Sequence, residues 1–404
     1  MGVIVLITRR CIQLKRANRR KKNRKYKVRR IGVSIFLVII FILLGYSTVK
    51  GVSYLKSKKE DKNSVSLEKN EIEEPATQEP LKKNEKKDIL LTAAGDCTLG
   101  TDTNFSTATS LPTMFQNQGN DYSYFFKNVN HLFKNDDYTI VNLETTFTDT
   151  KEKANKGDGT VFHFKGPKDF VNILTTSNID GVTVANNHIY DYGDKGFNDT
   201  INVLKESNVD FCGEGYKFTK DLKGIKFGFL AYQAWEDTEK LRSSIKQDID
   251  DLKAEGAKII IPYFHWGIEK QTTPSEYQVN LARYTIDNGA DLILGSHPHV
   301  MQSLENYKGK LITYSLANFS FGGNSNPSDK RTFILQLNFK FTDDNLDGYT
   351  FKVIPASISS IDYKNDYAPT PVDGSKKDSI LKTLNDLSPS LKGTIKDEFV
   401  ELTD

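Results

Sequence analysis

Cysteine is scarce, with three residues in a chain of 404 and none in a CxxC pair. A disulfide-stapled scaffold and a cysteine zinc module are both excluded. The 27 glycines and 12 prolines are too few for a collagen-like or linker-only chain. No GxSxG elbow, P-loop or GxGxxG fingerprint occurs. Neither a serine nucleophile of that type nor ATP-driven polymer synthesis is therefore expected of this chain. Acidic residues are missing from positions 1–30, which hold thirteen Lys or Arg, and the remainder carries 42 basic against 52 acidic side chains. That distribution excludes a uniformly basic polyanion binder, and no motif assigns nucleic-acid binding to the body.

One long apolar run is present. Residues 31–49, IGVSIFLVIIFILLGYSTV, contain no charge. As a helix at ~1.5 Å per residue they cross most of a ~30 Å hydrocarbon core. The basic residues from Arg9 to Arg30 precede this run, which predicts a cytoplasmic N-terminus and a body on the outside of a single-pass membrane protein. The basic stretch is longer than a signal-peptide n-region and GYSTVKGVSY is a poor cleavage site, so an uncleaved anchor is expected. Residues 50–87 are charged and poor in aromatic and branched apolar side chains, as in a disordered tether. The expected division is a basic tail (1–30), a transmembrane helix (31–49), the tether (50–87), a principal domain (88–340) and a C-terminal extension packing on it (341–404).

In the body, short apolar runs end in Gly, Asn, Asp or His, and amphipathic stretches separate them. The runs cover 89–96, 138–144, 181–188, 209–215, 225–232, 257–267, 290–299 and 311–319, with helix candidates at 168–176, 194–207, 240–255 and 275–288. In the last helix Tyr277, Leu281, Tyr284 and Ile286 approximate one face. The alternation predicts an α/β fold with a largely parallel sheet covered on both faces. Residues 332–359 read as two strands of a hairpin or of a second sheet.

The polar residues cluster at the C-terminal ends of these runs, the edge where parallel sheets bind ligands. Asp96 ends AAGD, Glu144 ends VNLE, Asn187 and His188 end VANNH, His265 lies in YFHWG, and His297 and His299 form SHPH; His163 lies in a loop. Taken singly, each has an ordinary reading as a capping histidine or an Asx turn. Together they offer imidazole, carboxylate and amide ligands suited to a divalent metal such as Mn, Fe or Zn, and no thiolate set competes. Two ions would need a bridging carboxylate, and a non-ligating His nearby would protonate a leaving group. On an extended loop, His297 and His299 would present both imidazoles to one face.

Six segments in order, GDCTLG, NLETTFT, ANNHIYDYGDKG, HWGIEK, GADLILGSHPHVMQ and YSLANFSFG, resemble the CapA-type family of poly-γ-glutamate capsule synthesis proteins. The resemblance covers roughly residues 88–340. It implies a metallophosphoesterase-like fold, a two-sheet sandwich flanked by helices. It further implies metal ligation by Asp96, a bridging Glu144, Asn187, His265, His297 and His299, with His188 as general acid and Asp191 orienting an imidazole. Glu269, Lys165 and Lys270 stand close to these motifs and are candidates for meeting substrate. The sequence departs from the phosphoesterase Asp-x-His motif, because Asp96 is followed by Cys97 and Thr98. One metal position is thereby poorer in ligands, and Cys97 is either a soft substitute or, more simply, a small buried side chain. A Cys97–Cys212 bridge is a further option.

Three functions follow. The first is an anchored component of capsule or poly-γ-glutamate biosynthesis or export, working with membrane synthetase or export subunits and an anionic surface polymer. The second is a surface-anchored metal-dependent hydrolase of a phosphoester or a wall-polymer amide. The third is a scaffold that keeps the fold without turnover. Fold and motif do not choose among substrates.

Overall fold

Both faces of the long apolar runs are buried, which is why they read as continuous rather than alternating. In strand β1 (Lys86–Thr98), Ile89, Leu91 and Ala93 face one core while Ala94 and Cys97 face another. The computed structural model describes residues 85–402. The basic tail, the 31–49 run and the tether up to residue 84 lie outside the described residues. Among those described, no helix is long and apolar enough to cross a membrane.

The other principal strands are β2 (Tyr138–Leu143), β3 (Gly181–Thr183), β4 (Ile225–Ala234), β5 (Ile259–Trp266), β6 (Leu292–Ser296), β7 (Asn318–Phe321), β8 (Arg331–Thr342) and β9 (Asn345–Ser357). One mixed sheet runs β9-β8-β1-β2-β3 to Asp210–Cys212, with β7 pairing parallel to the end of β1. Its β1-β2-β3 part is parallel and its β1-β8-β9 part antiparallel. A second sheet contains β4, β5 and β6 in parallel, bordered by Lys217–Leu222 beyond β4 and by Lys310–Thr313 and Leu304–Tyr307 beyond β6. The fold is mixed α/β with several sheets, and the first of them is mixed rather than largely parallel as the alternation suggests. Residues 331–357 do form a hairpin, and it extends the β1 sheet rather than making another. A division at residue 340 would cut through β8.

Ile89, Leu91, Ile140, Phe227, Phe229, Ile259, Ile261, Leu294, Leu335 and Leu337 pack into one core fed by both sheets. The outer face of the second sheet is covered by α1 (Glu239–Ala254) and α2 (Glu276–Asp287). Ile245, Ile249 and Leu252 recur on one side of α1 and pack on Ile260 and Phe264. On α2 the buried face is Gln278, Leu281, Ala282, Thr285 and Ile286, rotated from the expected one. Tyr277 and Tyr284 flank it and use their hydroxyls, Tyr277 accepting from the Gly267 N–H at 2.6 Å and Tyr284 donating to the Arg242 carbonyl at 3.3 Å. Fully burying one such aliphatic or aromatic side chain stabilises the fold by ~1.5–3 kcal/mol.

At the opposite edge of the first sheet, Asp136 precedes β2 and accepts from Thr139 Oγ1 at 2.6 Å. Burial, with the charges of Asp180 and Asp137 added, pushes its carboxyl up to about 7. The folded chain therefore keeps a proton that the unfolded chain releases near pH ~4, and this group's contribution to stability falls as pH rises from ~4 to ~7. Asp136→Asn is expected to raise the thermal midpoint by a few degrees at pH 7.5 and to change it little at pH 4. Parallel pH profiles for the two proteins would contradict this.

Candidate metal centre

The site lies where the C-terminal ends of strands from both sheets meet. Between Ala93 and Asp96, β1 spends three steps against the two from Ile140 to Asn142 on β2, an irregularity of the β-bulge kind. It changes parity. Odd residues face the inter-sheet core before it, whereas Cys97 and Leu99 face the other core after it. Asp96 is thereby turned toward the end of the inter-sheet core. Gly95 is required there, since a Cβ on it would fall 1.8 Å from the Ala317 carbonyl oxygen. The ladder sets Asn142 on one side of Asp96 and Asn318 on the other. Asp96 Oδ1 accepts from Asn142 Nδ2 at 2.7 Å and Oδ2 from the His297 N–H at 3.2 Å. His299 Nδ1 lies 3.4 Å from Oδ2 and 2.8 Å from Asn318 Oδ1.

His265 shares the strand face of Ile259, Ile261 and Tyr263, so period two alone aims it at the same place. Its register partner Ser296 brings Oγ within 3.1 Å of Nδ1. Nε2 is 2.7 Å from Asn187 Oδ1 and 3.1 Å from His297 Nδ1. The His-Pro-His segment is not extended, contrary to the period-two expectation. His297 and His299 both take positive φ, 97° and 58°, and bend their imidazoles into one centre. Non-glycine residues in that region are uncommon and gather at functional sites.

Glu144 follows β2 and is fully buried, and neither carboxylate oxygen has a hydrogen-bond partner. Oε1 lies 3.9 Å from Nε2 of His188, of His265 and of His299. Two triads of potential ligand atoms share it, Glu144 with His265 and His297, and Glu144 with Asp96 and His299. An unpartnered buried carboxylate is costly unless something positive meets it. A carboxylate shared by two imidazole-bearing triads suits one or two divalent cations.

The proton equilibria reflect this crowding. Burial and Asp96 push Glu144 well up. Burial would also raise Asp96, but the hydrogen bond and charge of His299 hold it down at about 2. Burial would lower His299, yet Glu144 and Asp96 lift it to about 10. Burial and the charge of His299 lower His297 to about 4, while burial and His297 push His265 well down.

His188 Nδ1 sits 2.6 Å from Asp191 Oδ2. The other oxygen of Asp191 accepts from Lys156 Nζ at 2.6 Å, and Oδ2 also accepts from the Phe164 N–H at 2.6 Å. Asp191 therefore fixes the imidazole with Nε2 on the Glu144 side. A cavity of about 660 Å³ opens from His188, His299 and Asn318. Glu269 and Lys270, exposed on the loop after β5, line it as well. Lys165 does not. Its ammonium donates to the Thr150 carbonyl at 2.6 Å and lies 4.9 Å from the Tyr192 ring centroid. His163 is outside the centre too, its Nε2 2.8 Å from the Ala154 carbonyl. Cys97 and Cys212 are free thiols, buried, with burial pushing both well up. Asn142, Asn318, Ser296 and Lys156 were not among the expected site residues. The first three neighbour expected ones across a ladder, which only register reveals. Lys156 comes from a coil segment with no pattern of its own.

The family described as bacterial capsule synthesis protein PGA_cap matches residues 90–323. The chain belongs to this family. This PGA_cap chain is 32% identical over 266 residues to capsule biosynthesis protein CapA of Bacillus anthracis, covering 60% of this chain and 62% of that one. It is 32% identical over 215 residues to PGA biosynthesis protein CapA of Bacillus subtilis (strain 168), covering 48% and 56%. The aligned part thus spans less than two thirds of either curated relative. Among solved structures, a hypothetical protein from Thermus thermophilus aligns with TM-score 0.40 and 16% identity, covering 66% of this chain and 99% of that one.

Adding a divalent metal is expected to stabilise the wild-type protein by ~2.7 kcal/mol at a hundredfold excess over Kd, and so to raise its thermal midpoint. Glu144→Gln should abolish that gain. Without metal the variant should be no less stable than wild type, because no hydrogen bond to Glu144 is lost. Equal metal stabilisation of both proteins would remove Glu144 from the centre.

Proposed function

We propose that this chain is a membrane-anchored, extracytoplasmic component of capsule or poly-γ-glutamate assembly that carries a metal-dependent hydrolytic centre. Its family membership and the names of its curated relatives support the process. The uncharged run at 31–49 behind its basic flank supports the anchor and its orientation. The observation that carries the centre is the buried, unpartnered Glu144 between two triads.

Asp96, Glu144, Asn187, His265, His297 and His299 would hold one or two ions in a metallophosphoesterase-like site. Metal chemistry of this kind supplies a nucleophilic hydroxide at neutral pH and polarises the bond under attack. The protein's own groups do the rest. Asn142 and Asn318 hold Asp96 and His299 in line. His188, oriented by Asp191, stands at the inner end of the cavity with Nε2 available to give a proton to a departing oxygen or nitrogen. Lys156 holds the other Asp191 oxygen at 2.6 Å, so the carboxylate keeps its place against the His188 Nδ1. The scissile group is a phosphoester or a wall-polymer amide. Polymerisation itself falls to a membrane synthetase partner, because no nucleotide-binding motif occurs in this sequence.

The reading is tested in the cell of origin. Deleting the gene should lower the anionic surface polymer several-fold. Wild-type protein should restore it, and His188→Ala or the double variant His297→Ala with His299→Ala should not, at equal protein abundance. Full restoration by both variants would leave a scaffold without turnover.

A further inference from the structure

The cavity that begins at the metal centre continues outward along a line of aromatic rings. Its cause is local. Phe162 and His163 lead into the short strand Phe164–Gly166, which pairs with Thr101–Asp102 and Thr146–Phe147. The segment is pinned at successive amides, the His163 N–H on Asp102 at 2.7 Å and the Phe164 N–H on Asp191 at 2.6 Å. The Phe162 and Phe164 rings share one side, while His163 turns away to the Ala154 carbonyl. The Phe162 and Phe164 rings lie parallel within 6° at 6.1 Å, and Phe105 meets Phe162 edge-on at 5.5 Å. Phe164 covers His188 at 4.3 Å, and Phe321 lies against His299 at 5.0 Å. The rings therefore lead from an exposed rim, where Phe162 keeps 41% of its surface, to both imidazoles at the inner end.

The rest of the lining is polar but poor in charge. Asn104, Ser106, Thr109, Ser325 and Ser328 are exposed on it, and their side chains make no hydrogen bond with described residues. Lys270 and Glu269 are sequence neighbours of opposite sign, and the Asp329 carboxylate is held by Arg331 at 2.7 Å. Lys270 is the one Lys or Arg among the described residues lining the cavity. A polyanionic chain would need several cations along its path. Aromatic faces beside unengaged hydroxyls and amides match a neutral ring with an apolar face and hydroxyl edges, which is a sugar. The volume of about 660 Å³ is that of a site for a ligand of several rings.

We propose that this groove binds an uncharged glycan segment, stacked on Phe162 and Phe105 and hydrogen-bonded by the Asn104–Thr109 and Ser325–Ser328 walls, and so presents the bond next to that segment to the metal centre. This deepens the hydrolytic reading, since the inner end of the groove is His188 and His299, but it is tested by binding alone. The substrate would then be a phosphoester or amide borne on a neutral wall sugar, not the interior of a polyanion.

The experiment is calorimetric titration of the full chain in detergent with chitotetraose, cellotetraose and a poly-γ-glutamate oligomer at 50 and 500 mM salt. Binding of a neutral tetrasaccharide should be unchanged by salt. It should weaken at least tenfold in Phe162→Ala and in Phe105→Ala, with metal content equal to wild type. Equal metal content keeps failure of this proposal separate from failure of the metal centre. No binding of either tetrasaccharide at 10 mM would overturn it. Preferential, salt-sensitive binding of the poly-γ-glutamate oligomer that Lys270→Ala abolishes would overturn it in favour of a polyanion.

Discussion

A carboxyl buried without a hydrogen bond stays an anion only where positive charge meets it, and Glu144 sets that condition for everything around it. Three imidazole nitrogens stand at 3.9 Å from one of its oxygens, too far for a hydrogen bond and well placed to share a cation with it. The surroundings are arranged to keep this geometry rigid. Asp96 is clamped by Asn142 and by the His297 amide, His265 by Ser296 and Asn187, and His299 by Asn318. Asp96, His265 and His299 thus each have a partner that fixes them, the condition under which an imidazole or carboxylate keeps one orientation.

The fold supplies these positions by simple means. Parallel strands from two sheets end at one edge, so period two along β5 carries His265 to it from the same face as Ile259 and Ile261. β1 reaches it only by breaking its own alternation, and Gly95 makes that break possible where the backbone of Ala317 passes. Two histidines with left-handed backbones complete the ring. Left-handed backbones also occur at turns elsewhere, as at Asn178, Asn208 and Lys308, but in this centre they aim two imidazoles at one point.

Much of this was legible because polar residues closing apolar runs are conspicuous. Asp96, Glu144, Asn187, His188, His265, His297 and His299 all announce themselves that way, and they come together. What the one-dimensional pattern could not carry was pairing. Asn142 and Asn318 sit inside or at the start of buried runs, and their importance follows from being opposite Asp96 in a ladder. Lys165 attracted notice through sequence proximity, but β alternation beside His163 and Phe164 sends its ammonium to Thr150, away from the cavity. Alternation of strands and helices suggests largely parallel pairing, since nothing local says which strands are neighbours, and the antiparallel β1-β8-β9 part escapes it. The sequence likewise leaves open whether residues 332–359 form a hairpin or a second sheet, and the pairing of β8 with β1 decides it. The two tyrosines of α2 looked apolar in the periodicity, whereas their hydroxyls draw them to the flank.

The central claim is that Glu144 is shared by divalent metal. Anomalous diffraction from crystals of the chain grown with Mn, Fe or Zn, recorded at each metal's absorption edge, addresses it directly. The account predicts one or two anomalous peaks within about 2.0–2.2 Å of the Glu144 carboxylate oxygens, one toward His265 and His297 or one toward Asp96 and His299, or both. Metal-replete crystals with no anomalous peak at Glu144, and a water or protein donor filling the space instead, would contradict it.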